Sequence, residues 1–155
     1  MDFSKDIEAF ALKTTKRITT VKRIVALQLF GAIVRKTPVG TPDLWLSLWK
    51  DSDGRALDAP EGYAGGRARA NWRFSLNGFD ETVSDDTDKS GGVTLSLLQS
   101  VALSADLNDA ICMSNSLPYI HKLEYDGHSS QAPEGMVRIN TARFQDLVQK
   151  VNRVT

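Results

Sequence analysis

The chain is poor in the residues that most often carry chemistry, with one cysteine, Cys112, and two histidines, His121 and His128. A lone cysteine excludes an intrachain disulfide, and its apolar setting, AICMS, predicts an inert buried thiol. No stretch reaches the ~18 uninterrupted apolar residues of a membrane span, so no membrane partner is expected. The first residues lack the short apolar run and small-residue cleavage site of a signal peptide, which predicts a protein made and used in soluble form. A net charge is missing too. The 19 Lys+Arg balance 19 Asp+Glu, so the chain as a whole announces neither nucleic acid nor membrane.

What is present suits one globular domain, 155 residues with 41% hydrophobic side chains and apolar material for a single core. The charge is unevenly placed. Residues 1–36 carry eight basic side chains (Lys5, Lys13, Lys16, Arg17, Lys22, Arg23, Arg35, Lys36) against Asp2, Asp6 and Glu8, and the compensating acid includes DETVSDDTD at 80–88.

From Ser4 to Val34 no proline occurs and no glycine precedes Gly31, while Ile7, Phe10, Ala11, Ile18, Val21, Val25, Leu29 and Ala32 share one narrow arc. Ser4 is placed to cap, and Asp6 and Glu8 complement the helix dipole. The spacing predicts a long, basic, amphipathic helix over 1–35. At roughly 45 Å it exceeds what a domain of this size covers, so part of it is expected to pack on a neighbouring subunit. Residues 36–67, with two Thr-Pro steps and a closing Gly-Gly, read as an extended loop. That loop nevertheless holds Trp45, Trp49 and Tyr63, which need burial against this chain or another.

Residues 68–155 read as the folded core. ARANWRFSLN, 68–77, alternates as a half-buried strand does, and the acidic, Gly-flanked segment 78–92 predicts a solvated, mobile loop. A helix over 93–107 and a strand over 109–115 follow. Pro118 opens a short helix that Asp126-Gly127 ends, MVRI at 136–139 reads as extended, and Asn140 or Thr141 caps a last helix. The order predicts a single α+β domain, 1–155: a long N-terminal helix, a small antiparallel or mixed sheet packed by helices, and a C-terminal helix.

His121, Glu124 and His128 are the best metal candidates, since His121 and Glu124 share a helix face. His128 falls beyond a turn, however, and the spacing matches no zinc motif, which favours surface or interface histidines. Ser129 or Ser130, either histidine and Asp126 supply the residue types of a hydrolytic triad without a nucleophile elbow or an oxyanion hole. GYAGGRARAN, 62–71, is glycine-rich and basic but carries no phosphate-loop signature, so a tight loop into a strand is the stronger reading.

Three segments carry a resemblance. TPVGTP at 37–42, GYAGGRARANW at 62–72 and SNSLPYIHKLEYDGHSSQAPEGMVR at 114–138 are together similar to the bacteriophage family of tail-completion and neck proteins, minor tail components at the head–tail junction. The likeness spans most of 5–145 and is most specific in the last block. Tyr125-Asp126-Gly127 departs from the family's Glu-x-Gly by one residue, and 78–92 has no counterpart.

The resemblance implies a structural virion protein without catalysis, cofactor or metal. Such a protein forms a closed ring, sixfold to match the tail tube, completing the tail and joining it to the head connector around the DNA channel. Its partners would be other copies of itself, the head connector, a tail-terminator or tail-tube protein, and packaged double-stranded DNA held without sequence preference. Its place would be the virion neck, and the host cytoplasm during assembly. A tail terminator capping the tube is the rival within the class, and a small phage-encoded hydrolase is the rival outside it. On this reading Lys13, Lys16, Arg17, Lys22 and Arg23 face DNA, whereas sequence by itself favours a solvated face for this surface. Trp45, Trp49, Tyr63, Glu124 and Arg138 serve subunit contacts, the last two alternatively as an ion pair inside the chain.

Overall fold

The computed structural model describes residues 3–42 and 50–155. Helix α1, Phe3–Lys36, is 34 residues long. No proline breaks its backbone ladder before Thr37-Pro38, and Asp6 in the first turn with Arg35 and Lys36 in the last match its dipole. Its two halves have different surroundings. Residues 3–18 are exposed on every side, whereas beyond them the helix enters the core and buries Val25, Ala26, Ile33 and Val34.

The rest of the α+β fold wraps around that second half. It comprises α2 (Arg67–Ala70), β1 (Arg73–Leu76), α3 (Gly92–Ser104), β2 (Ile111–Ser114), α4 (Ile120–Tyr125), α5 (Val137–Thr141) and α6 (Phe144–Val154). β1 and β2 pair antiparallel, with Arg73 opposite Ser114 and Leu76 opposite Ile111. α1 packs on α3, α5 and α6, and β1 also touches α3. Ile33, Val34, Ala68, Trp72, Leu117, Leu123, Ala132 and Met136 form the core cluster, with Phe30 and Phe74 stacked beside it at 6.3 Å between ring centres.

The structure corrects several local expectations. ARAN, 68–71, is not strand: Gly66, at φ 103°, leads into the helical turn α2, and extended chain begins at Arg73. The Asn71 side-chain amide returns to the Arg67 carbonyl at 2.9 Å, which a fully extended backbone would not allow. MVRI is helical from Val137, because the Glu124 carboxylate accepts the N–H groups of Met136, Val137 and Arg138 and caps α5 from another part of the chain. The last helix starts at Phe144, since Asn140 and Thr141 belong to α5. Cys112 is half-buried on β2 and not fully enclosed.

Residues 78–91 form no regular element, yet they are stitched to the body. The Asn71 side chain takes both backbone groups of Ser84, at 2.8 and 3.0 Å, and Arg73 donates to the Thr82 carbonyl at 3.1 Å. Arg67 donates to the Ser84 carbonyl and pairs with Asp85 at 2.8 Å. Asp88 is the one buried acid of the segment. One of its oxygens accepts the Gly91 N–H at 2.8 Å, and the other accepts the Thr94 N–H and hydroxyl, each at 2.9 Å. Asp88 thereby supplies the N-terminus of α3 with the acceptors that Gly91, at the cap position, has no side chain to offer. Burial pushes its carboxyl up, but the bonds from Thr94, Gly91 and Ser90 outweigh burial and leave it below the usual carboxylate range. Asp88→Ala is expected to cost about 1–2 kcal/mol, with faster amide exchange at Thr94. A melting temperature and a Thr94 exchange rate both equal to wild type would refute this role.

Candidate functional site

The three segments that carry the resemblance meet in space. The buried Thr37 hydroxyl accepts the Trp72 indole N–H at 2.8 Å and donates to the Ile33 carbonyl at 2.8 Å, joining the end of α1 to the Asn71-Trp72 pair. Arg69 reaches the same place, donating to the carbonyls of Thr37 at 2.7 Å, Arg35 at 3.2 Å and Lys89 at 2.5 Å. Burial lowers the pKa of its guanidinium, and the charge of Asp88 opposes that shift. The Gln131 side-chain amide pairs with both backbone groups of Val39, at 3.1 and 2.9 Å, and Asn115 donates to the Ala68 carbonyl at 2.9 Å. Arg69, Asn115 and Gln131 are therefore engaged by main-chain groups of the other motifs, and Trp72 by the Thr37 hydroxyl.

Around this junction lies an open cleft of about 720 Å³. Pro38 and Gly40 come from the first segment, Tyr63 and Arg67 from the second, Tyr119 and His128 from the third. Glycine makes the close approach possible: a Cβ on Gly65 would penetrate the Gly40 carbonyl oxygen, and one on Gly40 would strike the Tyr63 hydroxyl. Burial pushes the Tyr119 phenol up; the charge of Arg67 opposes the shift and Tyr63 adds to it. Its walls combine glycine and aromatic surface with charged and polar side chains, among them Arg67, Asp85, Lys122 and Gln131.

Glu124 forms the second corner. Its carboxylate is buried and accepts the N–H of Met136 at 2.7 Å, of Val137 at 2.9 Å and of Arg138 at 2.9 Å. Arg138 adds an ion pair at 3.3 Å, donates to the Glu124 carbonyl at 2.6 Å, and lies over the Tyr125 ring at 4.8 Å. Gly135, at φ 87°, is needed because a Cβ there would sit 2.8 Å from a Glu124 carboxylate oxygen. Burial pushes the carboxyl up, but the three backbone donors and Arg138 more than compensate, and its pKa lies below the ordinary value. The Glu124–Arg138 pair is thus an internal one.

That geometry removes Glu124 from any metal set, since its lone pairs already hold α5. His121 stacks on Tyr125, 4.5 Å between ring centres, while His128 lines the cleft. Among the described residues no three His, Cys, Asp or Glu side chains converge on a point where an ion would sit.

The five basic residues of α1 expected to face DNA divide. Lys13 and Lys16 are exposed on the first half of the helix. Arg17 donates to the Asn152 carbonyl at 3.0 Å and to its side chain at 3.3 Å, on α6. Lys22 donates to the carbonyls of Asp106, of Leu107 at 3.1 Å and of Asp109 at 2.8 Å, just past the end of α3. Arg23 donates to the Ala105 carbonyl at 2.9 Å and approaches Asp106 at 3.9 Å. Lys22 and Arg23 therefore hold the segment that leaves α3, Arg23 at the carbonyl of its C-cap residue Ala105. These bonds give Lys22 and Arg23 a structural role within the chain, in addition to the DNA-facing one expected for them.

Tyr63 is half-buried in the cleft, and the expectation for Trp45 and Trp49 lies outside the described residues. Asp88, Arg69 and Gln131 were not singled out by sequence. Their types are common, and only the distant carbonyl or N–H that each one meets gives it a role. Compared with protein-family models, curated proteins and solved structures, the chain matches none.

Proposed function

We propose that the chain is a structural virion protein that forms a ring at a phage neck, completing the tail and joining it to the head connector around the DNA channel. The observation that carries this reading is the junction itself. Side chains that define the resemblance join its three segments, Arg69 and Gln131 through main-chain groups and Trp72 through the Thr37 hydroxyl, and specify a rigid building block. Glu124, the acid that a hydrolase would need, serves as a helix cap, which argues against the enzymatic alternative. Sixfold closure is expected from the resemblance, and a heterologous contact that closes generates such a ring.

The test is the mass of the purified protein in solution, together with its copy number in particles. A monomer at every concentration that is also absent from virions would sink the reading. Lys13 and Lys16 are the two α1 cations of the DNA set that remain exposed and untied to the core. Lys13→Glu/Lys16→Glu is expected to leave rings and head–tail joining intact while weakening salt-dependent DNA contact, the log–log salt slope falling by about 2. Particles with normal DNA retention and ejection would show that this face is merely solvated.

A further inference from the structure

The first half of α1 stands away from the body except where Arg17 reaches Asn152 on α6. Residues 3–18 are all exposed and span about 24 Å, a length at which an isolated helix is marginal in water. This arm is not polar. Phe3 is 77% exposed, Ile7 51%, Phe10 72% and Ile18 49%, and at 100° per residue all four fall within an arc of about 80°. The same arc continues into Val25, which this chain buries in its own core. The arm therefore carries a core-facing stripe with no core beneath it.

A second uncovered face lies on α3. Thr94, Leu98 and Ala102 point inward, while Val93, 68% exposed, and Leu97, 50% exposed, point outward in line with Ser100 and Ser104. The two faces share a 4-3-4 spacing: Phe3, Ile7, Phe10 and Thr14 on the arm, Val93, Leu97, Ser100 and Ser104 on α3. Large side chains on one and serines at the end of the other fit as ridge and groove.

The amount of surface identifies the occupant. A folded monomer of 17.1 kDa is expected to expose about 7,800 Å², whereas this chain exposes 10029 Å². A standard interface covers about 800 Å² per partner, so the excess of about 2,200 Å² exceeds one such contact and leaves room for two. Two contacts through two unlike faces is the arrangement of a ring built head to tail.

We infer that the α1 arm of one copy packs its Phe3–Ile7–Phe10 stripe onto the Val93–Leu97–Ser100 face of α3 in a second copy. The inference rests on the ring reading and names its contact. It also leaves Lys16 across the helix from the docked stripe, free of the interface.

The experiment uses the full chain with Phe10→Asp on the arm and Leu97→Asp on α3, each measured by light scattering beside wild type. Both sites are exposed, so circular dichroism should match wild type; Phe10→Ser and Leu97→Ser repeat the test should either aspartate disturb folding. Wild type is expected to assemble, and each variant alone to lose at least about tenfold in assembly constant. An equimolar mixture should form dimers and no rings, because one junction in it pairs an intact arm with an intact face. If wild type assembles and either variant assembles equally well, the arm contact is wrong while the ring reading survives. A mixture that stays monomeric also overturns the contact, since an intact arm and an intact α3 face would then be present together and fail to pair. Wild type that remains monomeric throughout overturns the contact and the ring together.

Discussion

Glu124→Ala is expected to destabilise the domain by about 3–4 kcal/mol and to lower its melting temperature by roughly 6–15 °C. The carboxylate is buried and is the shared acceptor for three consecutive N–H groups at the start of α5. Removing it leaves those donors and part of Arg138 without a partner, at about 1–3 kcal/mol for each one that water cannot reach. The ion pair itself contributes the smaller share, because the Arg138 side chain is 51% exposed and screened. Glu124→Gln keeps the shape and loses the charge, so it should fall between alanine and wild type.

The pH dependence follows from the direction of the shift. Glu124 titrates below its unfolded value of about 4.3, so its contribution is present above that pH and is lost as pH falls through the folded value. Asp88 acts with the same sign below its unfolded value of about 3.9. Denaturant unfolding of wild type and Glu124→Gln should therefore show a gap that is constant near neutrality and narrows below about pH 4. A gap of constant size down to pH 3 would rule out the charged cap.

Gly65→Ala is expected to cost about 3 kcal/mol or more and to disrupt the cleft. Its Cβ would lie 2.8 Å from the Gly40 carbonyl carbon and closer still to the oxygen, and neither is a side-chain atom that can swing away. One of the two backbones must move, although Gln131 holds the neighbouring Val39 through both of its main-chain groups. Gly40→Ala supplies the control. Its Cβ meets the end of the Tyr63 side chain, which can rotate, so a much smaller loss is expected there. Equal melting temperatures for the two variants would mean that the loop yields easily and that the junction is not rigid.

The sequence by itself determined the elements whose cause is local. α1 was legible from its 3.6-residue period, its missing proline and its first-turn Asp6, and the short helix before Asp126-Gly127 was legible from its punctuation. The α+β class followed from that order. The candidate site was legible only as three separate blocks of glycines, prolines and polar residues. Their meeting depends on pairs far apart in the chain, such as Gln131 with Val39, Trp72 with Thr37 and Arg17 with Asn152 across 135 residues. The same holds for charge: Lys13, Lys16, Lys22 and Arg23 look alike in sequence, but only the last two meet carbonyls of the 105–109 segment that follows α3. Helical period and turn chemistry act over a few residues and can be read there. Which donor finds which acceptor is decided by the packed chain, because burial is what makes an unpartnered group costly enough to choose.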